Sequence, residues 1–179
     1  MNPFVDRMIR AAKLEPKLYE EVEADKGALG QAMAVVVLSS LAAGVGAISI
    51  QGPGGIIIGT ITALIGWYVW ALLTYLIGTK ILPEPQTHAD HGELLRTIGF
   101  SSAPGIIRVL GIIPVLRGIV FLAAGIWMLA AMVIGVRQAL DYTSTWRAVG
   151  VCLIGWLIQA LILALIFAAM GGVPTQPAS

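Results

Sequence analysis

His88, Asp90, His91 and Glu93 crowd six residues of this chain, and a helix there would bring the two imidazoles one turn apart, close enough to share a metal ion with a carboxylate. No further His or Cys stands where it could complete the ligand set. Glu84-Pro85 just upstream and Gly92 inside the cluster argue for a loop, so the four read as solvated polar residues. No metal and no cofactor is expected. Nucleophilic chemistry has no better footing: Cys152, Ser39 and Ser40 all fall within long apolar runs, whereas both histidines lie outside them. Cys152 reads as a small buried hydrophobe with no disulfide partner in the chain. Paired carboxylates for proton transfer or ion coupling are missing from the apolar runs as well. The chain is therefore not expected to be an enzyme. One residue stands apart from this inventory: Arg108 is a cation placed well inside an apolar run.

The elements that carry these residues are long and apolar. Five runs stand out, roughly residues 28–50, 56–77, 98–113, 118–136 and 149–170. Crossing a bilayer core takes about 20 apolar residues, and four of the runs reach that length, the third being marginal. A composition of 58% hydrophobic and 12% charged residues excludes an ordinary soluble domain. Because backbone groups in lipid must be satisfied within a segment or a closed barrel, and no period-two alternation is present, helices are favoured over strands. The fold class is all-α: a polytopic transmembrane bundle of five spans. Residues 1–26 form a cytoplasmic or interfacial arm, 27–172 the membrane domain and 173–179 a short disordered tail.

Basic residues set the orientation, since short cytoplasmic connections are enriched in Lys and Arg. Arg7, Arg10, Lys13, Lys17 and Lys26 in the arm, Lys80 and Arg96 around the second connection, and Arg137 and Arg147 around the fourth fall on one side of a five-span chain; Arg117 alone falls on the other. The N-terminus is thus expected in the cytoplasm. A four-span chain with a re-entrant third run would put Arg137 and Arg147 outside. With the first 26 residues mixing acids and bases, the first span serves as the insertion signal. A net charge of +1 with no clustered basic face gives no support for nucleic-acid binding.

In the arm, Phe4, Met8, Ile9 and Ala12 share one helical face and Asp6, Arg7, Arg10 and Lys13 the other, the pattern of a helix lying in the membrane interface or docking on the protein's own loops. Beyond Pro16, Glu20, Glu21, Glu23 and Asp25 suit either a solvated lead-in to the first span or a docking surface for a basic partner. Gln51 to Gly55 reads as a hairpin turn. Ala42 and Gly46, Gly55 and Gly59, and Ala164 and Ala168 are spaced for close helix packing, within one chain or between two. In the second run, Tyr75 suits the inner interface and Trp67 buried packing.

The third run is the least regular. Pro104 removes a backbone donor, Gly105 follows it and Pro114 ends the run, so the helix is expected to break there. Arg108 then sits about 15 Å deep, counted from an inner boundary near Ile98 at 1.5 Å per residue, with no carboxylate in any span to pair with. Snorkelling, exposed carbonyls, an anionic lipid or another subunit's carboxylate could each satisfy it. Arg96, Arg137 and Arg147 are expected to form a cytoplasmic collar for anionic headgroups, each contributing about 1 kcal/mol near such a surface.

The block from Gly92 through Gly99-Phe100 to Pro104-Gly105 and on to Ile113-Pro114 resembles the Yip domain family, in its bacterial branch. So does Ile126-Trp127-Met128 with Arg137-Gln138-Ala139-Leu140 after it, the similarity running over residues 27 to 170. The resemblance implies a multi-span scaffold without known catalysis; eukaryotic members are partners of small GTPases and shapers of vesicle membranes. The short arm lacks the longer cytoplasmic region of those members, so GTPase binding is not carried over. The reading is a non-catalytic scaffold or accessory protein of the bacterial plasma membrane, in contact with lipids and with other membrane proteins or itself, assembling through the third span. The alternative is a small-solute channel or carrier built around the broken third run.

Overall fold

The computed structural model describes residues 2–169, and every regular element in it is helical. Helix α1 (Pro3–Ala12) starts where Asn2 accepts a hydrogen bond from the Phe4 amide at 2.9 Å and Pro3 supplies a fixed φ, and Leu14 in the left-handed region turns the chain back into α2 (Pro16–Ala24). A 3-10 turn (Lys26–Ala28) leads into α3 (Leu29–Gly46). Then α4 (Ile48–Leu76) runs on into a π-helical turn (Ile77–Ile81). Helix α5 (His91–Phe100) opens on a capping box in which Asp90 and Glu93 bond each other's backbone amides at 2.8 Å. A 3-10 helix (Ala103–Ile112), α6 (Pro114–Ala139) and α7 (Thr145–Ala169) complete the chain.

Four stretches are long and apolar enough to cross a bilayer: Lys26–Gly46, Ile48–Ile81, Pro114–Ala139 and Thr145–Ile162. The protein is a multi-pass membrane protein. The third apolar run is not a span-length helix. It divides at Ser101 and Ser102 into the end of α5 and the 3-10 helix, whose rise of about 2 Å per residue stretches ten residues over roughly 20 Å. It lies beside α3 and runs the same way: Gly99 meets Ala32, Gly105 meets Ser39, and the carbonyl of Arg108 meets Gly46. Helices α4 and α6 run antiparallel to α3, with Ile56 against Gly44 and Phe121 against Gly46; α7 runs antiparallel to α4, with Gly155 against Trp70.

The first hairpin turns within Gln51 to Gly55, where the sequence suggests, but the helix before it ends early. Helix α3 ends at Gly46 rather than near Ile50, and a single helical turn follows before the chain reverses at Gly52, whose φ of 66° only glycine adopts without strain. Pro53 then begins the long segment of α4, as proline can at a first helical turn. Gly46 is used within the chain: a Cβ there would lie 1.9 Å from the Arg108 carbonyl oxygen. Ala164 is exposed, the side chain of Ala168 lies outside the described ones, and the expected tail, 173–179, lies outside the described residues.

One end of the bundle is capped. Ala11, Leu18, Tyr19 and Val22 of α1 and α2 are fully buried against Ala32, Phe100 and Ala103, with Phe4 and Met8 packed on the rim of that cluster. The arm thus docks on the bundle through Phe4 and Met8, the second of the two uses that the sequence leaves open for that face. Of the large apolar residues of α1, Val5 and Ile9, 42% and 39% exposed, face outward. The opposite face of α1 is occupied too: Arg7 pairs with Glu21 and Asp25 at 2.9 Å, and Arg10 with Glu21 at 2.7 Å and Glu15 at 2.9 Å. The basic partner that the acids of α2 suit is, for Glu21 and Asp25, the neighbouring helix.

Candidate functional site

Arg108 does not reach for the nearer end of the bundle. Its Cα sits at the level of Gly46, but its side chain folds back along the third run to Ser39, seven residues deeper on α3. Nε donates to the Gly105 carbonyl at 3.0 Å, and Nη2 donates to the Ser39 carbonyl at 3.1 Å and to Ser39 Oγ at 2.8 Å. Snorkelling outward is therefore set aside. The break in the third run makes this geometry possible: Gly105 lies so close to α3 and α6 that a Cβ would stand 2.2 Å from Ser39 Oγ and 2.7 Å from both Arg108 Nη2 and Met128 Sδ. Pro104 sits in the first turn of the 3-10 helix and Pro114 at the first position of α6, so the two prolines bracket the arginine.

Arg108 lines a cavity of about 310 Å³ at the centre of the bundle. Its polar lining comes from Ser39 and Ser40 of α3, Ser102 at the break and Gln159 of α7, and its walls from Trp67 and Trp70 of α4. Trp67 Nε1 is spent on the Leu95 carbonyl at 2.9 Å, in keeping with buried packing, but Trp70 Nε1 is buried with no partner among the described residues. Ser39, Ser102, Gln159 and Trp70 carry no sequence motif. Their only early signal is polarity within apolar runs, and what joins them is helix packing.

The expected collar is not a row of free surface charges. Arg96 is 5% exposed: Nε donates to the Val22 carbonyl at 2.9 Å, and Nη2 reaches the Glu23 carbonyl, satisfying the last turn of α2. Its guanidinium is a strut between α5 and α2. Arg137 closes the loop after α6, bonding the Tyr142 carbonyl at 3.2 Å and Thr145 Oγ1 at 3.2 Å. Arg147 pairs with Glu84 at 3.1 Å and keeps half of its side chain exposed, so of the three it remains most available to a headgroup.

Glu84 gathers the second and fourth connections. It accepts from the Thr143 amide at 3.1 Å and Thr143 Oγ1 at 2.9 Å, and these donors, with Arg147, hold its carboxyl below the usual range. Thr87 Oγ1 donates to the Leu140 carbonyl at 3.0 Å, and Gln86 Nε2 to the Asp141 carbonyl at 3.0 Å. Tyr142 OH donates to the Leu82 carbonyl at 2.7 Å, beside the π-turn, and burial pushes its phenol up to about 12. His91 packs its ring edge-on to Tyr68, with centroids 5.0 Å apart, and among the described residues no three His, Cys, Asp or Glu converge to hold a metal.

A second polar cavity, about 460 Å³, lies at the capped end among Glu20, Glu23, Arg137, Gln138, Asp141 and Tyr142. Burial, with Glu93 and Asp141 adding repulsion, pushes the Glu23 carboxyl up to about 7. Gln138 Nε2 donates to Glu20 Oε1 at 2.6 Å, joining α6 to α2 across this space.

The family model described as the Yip1 domain matches residues 16–168, most of the chain. No curated protein and no solved structure matches.

Proposed function

The chain belongs to the Yip1 domain family, and from that premise we propose that it is a non-catalytic scaffold or accessory protein, binding other membrane proteins or itself and organising lipid around the bundle. We place it in a bacterial plasma membrane with five crossings and the N-terminus in the cytoplasm. The third run supports the fifth crossing because it accompanies α3 from Ala32 to Gly46, about 20 Å at 1.5 Å per residue. Nine of the eleven Lys and Arg residues then fall at the capped end, which favours that end as cytoplasmic.

The observation that carries the scaffold reading is the cap itself. The arm, the second connection and the fourth are tied into one rigid platform by Arg96, Glu84, Tyr142 and the ion pairs of α1 with α2. A platform held this way suits steady presentation of a surface rather than gating. At the other end, Leu110, Ile112, Ile113 and Val115 expose an apolar rim, 85% exposed at Val115, which suits the expected assembly through the third run. Native mass spectrometry of gently extracted protein, with crosslinks mapped, tests the reading: a defined oligomer or stoichiometric partner is expected. Crosslinks confined to the arm count against assembly through the third run.

The central cavity favours a second reading, a carrier for a small anion, because residues from α3, α4, the third run, α6 and α7 all line it. Anion flux through liposomes holding this protein alone, lost in Arg108→Gln, would establish that reading over the scaffold.

A further inference from the structure

We propose that the Arg108 cavity is a binding site for one anionic membrane lipid, its phosphate held between α3, α4 and the third run and its acyl chains lying along α4, α6 and α7. The proposal deepens the lipid-organising part of the scaffold reading and rests on it.

The charge asks for an anion. Between Lys26 and Glu84, and again between Glu93 and Asp141, the sequence contains no Asp or Glu, and none follows Asp141. Arg108 therefore has no carboxylate at its depth, and its bonds to Gly105 and Ser39 use neutral oxygens. A guanidinium carries five N–H groups; the donors on Nη1 have no partner among the described residues. Trp70 Nε1, which is buried, has no acceptor among the described residues either, and Trp70 lines the same cavity. Two unspent donor groups, one cationic, around a space lined by three serines match a ligand that only accepts, and a phosphate is such a group.

Geometry points to a lipid rather than a free ion. Arg108 also borders a cavity of about 440 Å³ with Ser102, Gly125, Met128, Leu129 and Met132, on the flank of α6. Leu129 and Met132 in turn line an apolar furrow of about 410 Å³ with Trp70, Val149, Leu153 and Trp156. Trp70 borders both the charged cavity and the furrow, so its indole ring flanks the path between them. A charged pocket continuous with an apolar furrow on the lipid-facing side is complementary to an amphiphile, and a free anion would leave the furrow unused. The walls are fixed by close packing at Gly105, where no side chain larger than hydrogen fits.

The test uses the full-length chain in detergent, stripped of lipid and titrated with phosphatidylglycerol, phosphatidylcholine or inorganic phosphate, with bound mass read by native mass spectrometry. One phosphatidylglycerol per chain is expected, preferred roughly tenfold over phosphatidylcholine, as one charge-assisted pair would give. Arg108→Gln should abolish the preference and Arg108→Lys retain most of it, so a misfolded glutamine variant leaves the lysine variant to report. Trp70→Phe should weaken phosphatidylglycerol. Equal binding of the two lipids, or a preference that survives in Arg108→Gln, overturns the proposal. Saturable binding of inorganic phosphate that displaces phosphatidylglycerol overturns it in favour of a free-anion site. A chain that binds phosphatidylglycerol but co-purifies with no partner keeps the lipid site and loses the scaffold; the converse loses only the lipid site.

Discussion

Gly105 is the residue on which the central geometry turns. Replacing its hydrogen with a methyl group would put carbon 2.2 Å from Ser39 Oγ and 2.7 Å from Arg108 Nη2, so Ser39 or the guanidinium must give way. Gly105→Ala is expected to lower stability by about 1–3 kcal/mol, the usual cost of overpacking, seen as an earlier thermal transition in detergent. Gly125→Ala, a site with no atom within 4 Å of an added Cβ, should leave that transition in place. A second residue-scale effect is one of charge. Glu23 titrates near 7, raised by burial and by Glu93 and Asp141, with Glu20 adding to the repulsion and Arg96 opposing it. Because its folded pKa lies above its unfolded one, the native state holds the proton longer; stability falls as pH rises from about 4.5 to about 7 and is level beyond. Glu23→Gln should flatten that limb and raise the transition at pH 8, and an unchanged pH profile would show that the carboxyl is relieved by solvent. Glu21 behaves in the opposite sense: Arg10 and then Arg7 hold it low, so the α1–α2 clasp is complete at neutral pH and weakens on acidification through that lowered pKa.

At the scale of elements, the cap depends on Arg96 joining α5 to the last turn of α2. Because Nε bonds the Val22 carbonyl and Nη2 the Glu23 carbonyl, a compact ammonium cannot replace the planar fork. Arg96→Lys and Arg96→Met should both loosen α2, the latter by about 1.5–3 kcal/mol as a buried hydrogen bond to a charged group is lost. Amide exchange should rise across Leu18 to Ala24 while α3 stays protected; equal rises in both would mean that the cap and bundle open together. How far these elements can be read from sequence varies with the cause. Apolar run length identifies α3, α4, α6 and α7, because lipid demands about 20 residues of the same kind whatever they pack against. Pro104 and Gly105 signal a break in the third run, but the fold locates it at Ser101 and Ser102, where Ser101 Oγ turns to the Ala131 carbonyl of α6 at 3.2 Å. The hairpin is legible but not the residue that makes it: any glycine of Gly52 to Gly55 could turn the chain, and Gly52 does so because Pro53 behind it can open a helix. Arg96, Arg137 and Arg147 read as surface charges because sequence counts charges and cannot see which carbonyls they will meet.

The whole molecule constrains its own topology through hydrogen bonds between distant loops. Thr87 meets Leu140, Gln86 meets Asp141 and Glu84 meets Thr143, so the second and fourth connections touch along several residues. Two loops that share hydrogen bonds lie on one side of a bilayer, and the chain between them must then cross an even number of times. Helix α6 supplies one crossing, at 26 residues or about 39 Å. In the five-span topology we propose, the third run supplies the other, and its 3-10 stretch gains length from few residues, since a rise of about 2 Å each carries it further than an α-helix would. A re-entrant third run would leave Thr143 across the membrane from Glu84 and every one of these bonds broken. Cysteines introduced at Gln86 and Ser144 are therefore expected to react together with an impermeant maleimide from the face that also labels Lys17→Cys, whereas Gly54→Cys should react only from the opposite face. The native Cys152 is buried and should stay silent in this assay. Labelling of Gln86→Cys and Ser144→Cys from opposite faces would remove the fifth crossing. It would also pull apart the capped platform on which the scaffold reading depends, so a single pair of labels tests the topology and the architecture together.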